Sequence, residues 1–225
     1  LLTSPNALSS DQADPDLLLN SIQLSYRGSQ RTFSNNSGDL GRISYMGGRQ
    51  YLDNYGDGTL NGAWNSFYSN NQPNLLALEQ ISEANPDRDL SYHLGVAKTL
   101  QAHTLMQLVD YLGDIPWSEA NNSAEFPKPS VDDDASVYDA AIAYLSEAAG
   151  HFASGAGIGT GTDFFYDGDA GKWSKLVKTL QMRANLTVGN YAAVASATGV
   201  IESTADDFQF DYGTNVLSPD NRHPA

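Results

Sequence analysis

The sequence predicts an all-α fold of antiparallel helical hairpins of tetratricopeptide-like type, joined by long loops. Three observations lead there. Apolar residues recur at helical spacing in several long segments. Small residues such as Ala97, Ala102, Ala141 and Ala148 fall where neighbouring helices would cross closely. No segment shows a convincing alternation of the kind a sheet needs. A repeat of about 34 residues does not run cleanly through the chain, so the hairpin pairing is inferred from packing alone.

The first helix is announced by Asp14-Pro15-Asp16, a cap, a first-turn proline and an acid at the positive end of the dipole. Leu17 to Tyr26 follow, and Gly28 is the expected stop. From there to Gly62 the chain is rich in Gly, Ser, Asn and Tyr and reads as a long loop of functional type. Trp64, Phe67, Tyr68, Leu75, Leu78 and Ile81 form a helical stripe that Pro73 either kinks or divides. Asn85-Pro86-Asp87 is a turn, and a long helix is expected from about Leu90 to Leu112, with Gly113 as its stop.

Residues 114–134, with Pro116, Pro127 and Pro129, read as an extended loop. Tyr138, Ala141, Leu145, Ala148 and Phe152 then define the cleanest amphipathic helix, capped by Asp134 or Ser136. A Gly-rich stretch over 154–162 separates it from a helix carrying Trp173, Leu176, Val177, Leu180 and Ala184. A shorter helix from Tyr191 to about Ser203 should follow. Phe208, Phe210 and Tyr212 then alternate in the tail.

The 225 residues are enough for a large core, and 40% hydrophobic content indicates a folded chain. The net charge of −15 opposes nucleic-acid phosphates and anionic lipid surfaces. Only 17% of residues are charged, and much of the remaining polarity is Asn, Gln, Ser and Thr, which suits hydrogen bonding to hydroxyls. There is no cysteine, so thiolate chemistry and disulfides are excluded for these residues. No apolar stretch is long enough for a membrane helix, and no signal peptide is recognisable. The start at Leu1, without Met, reads as a mature or trimmed chain.

Catalytic and metal motifs are lacking. His93, His103, His151 and His223 are dispersed, and His93 and His103 are ten residues apart rather than one helical turn. Asp163, Asp167 and Asp169 offer oxygens, but no glutamate follows at calcium-loop spacing. The Asp132-Asp133-Asp134 run is a helix-start and solubility feature. No nucleophile elbow, phosphate loop or dinucleotide fingerprint occurs, so an enzyme is disfavoured and neither a cofactor nor a metal is expected.

Three ordered segments nevertheless carry a family resemblance. The first runs from Gly95 through His103 into Tyr111-Leu112-Gly113-Asp114-Ile115-Pro116-Trp117. The second is Val137-Tyr138-Asp139-Ala140-Ala141-Ile142, and the third is Gly168-Asp169 with Lys172-Trp173 and Leu180-Gln181-Met182-Arg183. Together they resemble the SusD/RagB family, particularly its SusD-like branch, across roughly residues 14–202. Two departures are Val96 and Gln101, where many relatives have Glu and Arg, which puts ion pairs of that helix in doubt.

The resemblance implies one helical domain over residues 1–225 that lacks the C-terminal half of longer relatives. It also implies an exported protein on the bacterial outer-membrane surface, held by a lipid anchor outside this sequence. The implied partner is a SusC-like TonB-dependent transporter, and the implied ligands are oligosaccharides or peptides, with no nucleic acid.

Within that resemblance Gly113, Asp114, Pro116, Trp173 and Arg183 read as scaffold. Gly113 ends a helix in the left-handed region, Asp114 binds local amides, Pro116 blocks continuation, and Ile115 or Trp117 docks the loop. Arg183 is expected in a buried ion pair with the Asp167–Asp169 loop. Sugar recognition needs flat apolar faces beside planar polar groups. Tyr51, Asp53, Asn54 and Tyr55 are the ligand candidates, while Trp64 and Tyr68 are expected to face the core. The sequence therefore points to a non-catalytic nutrient-binding protein. A tetratricopeptide-like interaction scaffold and an acidic glycoside hydrolase are the alternatives.

Overall fold

A computed structural model describes residues 13–43, 56–154, 157–158, 161–210 and 212. Its architecture is all-α: α1 Pro15–Leu40, α2 Asn61–Ser66, α3 Gln72–Ala84, α4 Ser91–Leu112, α5 Asp134–Ala153, α6 Ala170–Thr187 and α7 Tyr191–Ala195. The described residues contain no strand, and a single antiparallel bridge joins Ile115 to Asp132. Helix α4 is the axis of the structure. Everything from Tyr92 to Ala102 is buried, because α1 and α3 cover one side while α5 and α6 cover the other.

Helix α1 starts where expected, with the Asp14 carboxylate accepting from the Asp16 amide at 3.0 Å. It does not end at Gly28. The buried stripe Leu19, Ile22, Tyr26 continues through Ser29 and Phe33, so packing carries the helix to Leu40. Gly28 packs against α2, where a Cβ would make ordinary contact with Ser66 Oγ at 3.5 Å. Pro73 neither breaks nor sharply divides the next helix. The π-turn Phe67–Asn71 joins α2 to α3, with the Gln72 amide donating to the Phe67 carbonyl, which widens the turn ahead of the proline ring.

The long helix ends at Leu112, and Gly113 follows at φ 75°, ψ −128°. The positive φ is as expected, but this ψ lies outside the left-handed helical region and in one that only glycine occupies readily. Asp133, rather than Asp134 or Ser136, caps α5 through the Ala135 amide. Asp169 caps α6 through the Lys172 amide at 3.0 Å. The last expected helix is much shorter, because α7 buries no residue and Gly199 takes a positive φ soon after it.

A buried cation ties the first hairpins together. Lys98 of α4 donates to Glu79 of α3 and to Glu147 of α5, at 2.6 Å for the latter, with its ammonium 4.9 Å from the centre of the Tyr144 ring. So α4 does carry ion pairs despite Val96 and Gln101, through Lys98, which lies between those two positions.

Candidate functional site

A cavity of about 490 Å³ opens between α1 and the extended segment that follows the 3-10 turn Thr204–Asp206. Its floor is built on α1 and α4. The Tyr26 hydroxyl lies 2.7 Å from His103 Nδ1, and the Tyr26 ring meets Phe165 edge-on at 5.9 Å. Burial raises the Tyr26 hydroxyl well above its ordinary pKa, so it stays protonated. Burial, aided by the Arg183 guanidinium, lowers His103 to about 3, and the ring is neutral at physiological pH.

Arg183 NH1 stands 3.5 Å from His103 Nε2. Since a guanidinium only donates, Nε2 is the accepting nitrogen and the ring proton resides on Nδ1. That proton goes to the Tyr26 oxygen, which leaves the Tyr26 hydroxyl hydrogen for another acceptor.

One wall is the face of α1 carrying Arg27, Gln30 and Arg31. The Gln30 and Gln107 amides bond each other twice, at 2.5 and 3.0 Å, which fixes this part of α1 on α4. The opposite wall is aromatic. Phe208, Phe210 and Tyr212 line the cavity while Asp207 before them and Gln209 between the first two are exposed, the two-residue alternation of an extended chain. Phe208 stacks on Phe165 at 4.3 Å, and Arg27 Nε donates to the Tyr212 hydroxyl at 3.1 Å.

The wall is anchored from behind. Tyr166 donates its hydroxyl to the Asp206 carbonyl at 2.8 Å, and Lys175 binds both Asp206 carboxylate oxygens at 2.8 Å. The loop that supplies Phe165 is held by two buried side chains. Gln23 donates to the Thr162 carbonyl and accepts from the Phe164 amide, at 2.6 and 2.8 Å. Asp163 accepts from the Phe165, Tyr166 and Gly168 amides, from Tyr92 and from Trp173. Of the three acids considered for calcium, Asp163 thus has both oxygens engaged by protein donors, and Asp169 is a helix cap.

The expected scaffold residues lie apart from the cavity. Asp114 accepts from the Asp134 amide at 3.0 Å, Ile115 is buried, and the Pro116 carbonyl accepts from Tyr68 at 2.5 Å. Asp132 is more than a solubility feature. It receives the Trp117 and Ser118 amides and the Ser118 hydroxyl, at 2.8, 3.0 and 2.6 Å. Burial works to raise its pKa, but these donors prevail and hold it below the usual carboxylate range. Asp114, Asp133 and Asp134 bring carboxylates together at the exposed start of α5, where two of them satisfy backbone amides.

Trp173 is fully buried, as a scaffold residue should be. Arg183 differs from expectation. Its side chain is 47% exposed and pairs with Asp110 of α4 at 3.3 Å, because α6 turns this face toward α4 and away from residues 167–169. Trp64 and Tyr68 are partly buried against the core, 4.5 Å apart. Tyr51, Asp53, Asn54 and Tyr55 lie outside the described residues. Tyr26, Arg27 and His103 were not foreseen as site residues. The alternation of Phe208, Phe210 and Tyr212 was the one sequence signal that pointed here.

Comparison with known proteins agrees with this architecture. The SusD-like family model described as "Starch-binding associating with outer membrane" matches residues 5–219. No curated protein sequence matches. Among solved structures, a SusD/RagB family protein from Bacteroides thetaiotaomicron is 23% identical with a TM-score of 0.74, over 90% of this chain and 46% of that one. A SusD homologue from Bacteroides fragilis is 21% identical with a TM-score of 0.67, over 95% and 46%. A chitin-binding protein is 27% identical with a TM-score of 0.64, over 87% and 45%. The chain spans about half the length of these relatives.

Proposed function

This chain belongs to the SusD-like family, and from that premise we propose that it helps to capture oligosaccharide nutrients at the bacterial outer membrane without transforming them. The observation that carries the reading is the cavity between α1 and the Phe208–Tyr212 segment. Aromatic faces there stand opposite the planar polar side chains of Arg27, Gln30 and Arg31, the combination that binds a sugar's C–H face and its hydroxyls together. A glycosidase needs a pair of carboxyl groups flanking the bond. None of the described lining residues carries one, which supports binding over hydrolysis.

In this reading the protein is lipid-anchored at the cell surface and passes its ligand to a SusC-like TonB-dependent transporter. Tyr51, Asp53, Asn54 and Tyr55 are retained as further ligand contacts. The residues shown form part of a single longer helical domain. The test is isothermal titration of the full-length protein against oligosaccharides, with reducing-end assays run in parallel. Saturable binding without release of reducing ends supports the reading. Binding to no glycan sinks it, and new reducing ends move the protein to the hydrolases.

A further inference from the structure

The cavity is electrically unlike the rest of the chain. Acidic residues outnumber Lys and Arg by 27 to 12 overall, yet the described lining residues include Arg27 and Arg31 and neither an Asp nor a Glu. The two arginines stand four residues apart on α1, so they project from neighbouring turns on one face. Like charges at that spacing destabilise a helix unless something neutralises them. Among the described residues neither has a carboxylate partner.

Arg27 is nonetheless held in place. Its Nε is taken by the Tyr212 hydroxyl, and its guanidinium carbon lies 5.0 Å from the centre of the Tyr212 ring and 5.6 Å from that of Phe210. Its two terminal nitrogens stay available as a planar fork, the geometry that grips a carboxylate or sulfate through two parallel bonds. The third donor is the Tyr26 hydroxyl, whose hydrogen the His103 tautomer leaves unclaimed.

Resting on the glycan-binding reading above, we propose that this cavity selects acidic oligosaccharides. A carboxylate or sulfate on the sugar sits between Arg27 and Arg31, while the ring lies against Phe208 and Phe210. An anion there relieves the repulsion between the two guanidiniums, so charge recognition and the helix's own electrostatics favour the same occupied state.

The test compares three probes on the full-length protein: a trigalacturonate, a sulfated chondroitin tetrasaccharide and neutral maltotriose. At least one acidic probe should bind tenfold or more tightly than maltotriose at low salt, with the difference shrinking as salt rises. The R31Q variant removes no internal contact among the described residues and should lose most of that preference, its affinity for the acidic probe falling at least tenfold further than its affinity for maltotriose. R27Q should do the same, with circular dichroism confirming its fold.

The arms separate the sources of charge. Preference for the uronate marks a carboxylate site, and preference for chondroitin alone marks a sulfate site. If maltotriose binds as well as the acidic probes and R31Q changes nothing, the charge inference is overturned while glycan binding stands. If R31Q alters stability but no binding, another part of the full chain fills the cavity and the inference again falls. Loss of all glycan binding would overturn both.

Discussion

Asp163 and Trp173 meet at 2.8 Å, the Asp163 Oδ2 accepting from the indole nitrogen inside a fully buried pocket. The same oxygen accepts from Tyr92 and the Gly168 amide at 2.9 and 3.0 Å, while Oδ1 accepts from the Phe165 and Tyr166 amides. One carboxylate thus joins α4, α6 and the loop that carries Phe165 into the cavity.

Replacing that carboxylate by an amide sets two donors against donors in either orientation. Asp163→Asn should therefore destabilise the protein by about 3 kcal/mol, since charge-assisted bonds are lost and buried groups are left unpaired. Urea denaturation followed by tryptophan fluorescence measures this directly. An unchanged midpoint would show that the hub contributes nothing to stability.

Two glycines make opposite predictions. A Cβ on Gly95 of α4 would lie 2.8 Å from the Phe152 ring, which is stacked on Trp173 at 6.0 Å and cannot easily withdraw. Gly95→Ala should lower stability by about 1–3 kcal/mol through overpacking, in spite of alanine's better helix propensity. Gly150 of α5 has no atom within 4 Å of its would-be Cβ, so Gly150→Ala should stabilise by about 0.5–1 kcal/mol. In thermal melts, a stabilised Gly95→Ala would contradict the packing at Gly95, and a destabilised Gly150→Ala the open space at Gly150.

His103 predicts a pH dependence. Its folded pKa is lowered to about 3, against roughly 6.5 when unfolded, so the unfolded chain binds the extra proton between these values. Its contribution is complete above about pH 6.5 and is lost as pH falls toward 3, with a slope approaching 1.4 kcal/mol per pH unit at most, on the order of one proton. His103→Gln should abolish this part of the slope between pH 6.5 and 4. Parallel stability–pH curves for both proteins would be the adverse result.

Lys98 has the opposite sign. Burial opposes its charge, but Glu147 and Glu79 outweigh burial and raise its pKa. Its stabilisation is present below the unfolded value and disappears as pH climbs through the folded one. Lys98→Met should cost about 1–2 kcal/mol at neutral pH, less than for a wholly buried pair because both glutamates reach solvent. The gap between wild type and variant should narrow above about pH 10.5, and a gap constant with pH would refute the ion-pair account.

The scaffold was largely legible in the sequence because its signals are local. The Asp14 cap, the Leu90–Gly113 helix and the Trp173 stripe each rest on residues within a few turns. The extension of α1 beyond Gly28 was hidden, since Ser29 is a polar member of its buried stripe. The cavity was illegible for a different reason. Tyr26 and His103 are 77 positions apart, and Arg27 and Tyr212 are 185 apart. Asp163 stood out in sequence only as one of three loop acids with oxygens to offer calcium, and only tertiary packing makes it the centre of five donors.

The π-turn at Phe67–Asn71 acts as a phase shifter along its rod. One additional residue in a turn rotates everything downstream by about 100° relative to an unbroken helix. Phe67 and Leu75 consequently both reach the interior across Pro73, although α2 leans on α1 and α3 also meets α4. Deleting a single residue between Phe67 and Pro73 would restore ideal winding and turn Leu75 and Leu78 out of the core. In this stretch the number of residues, more than their identity, sets which side chains face the core.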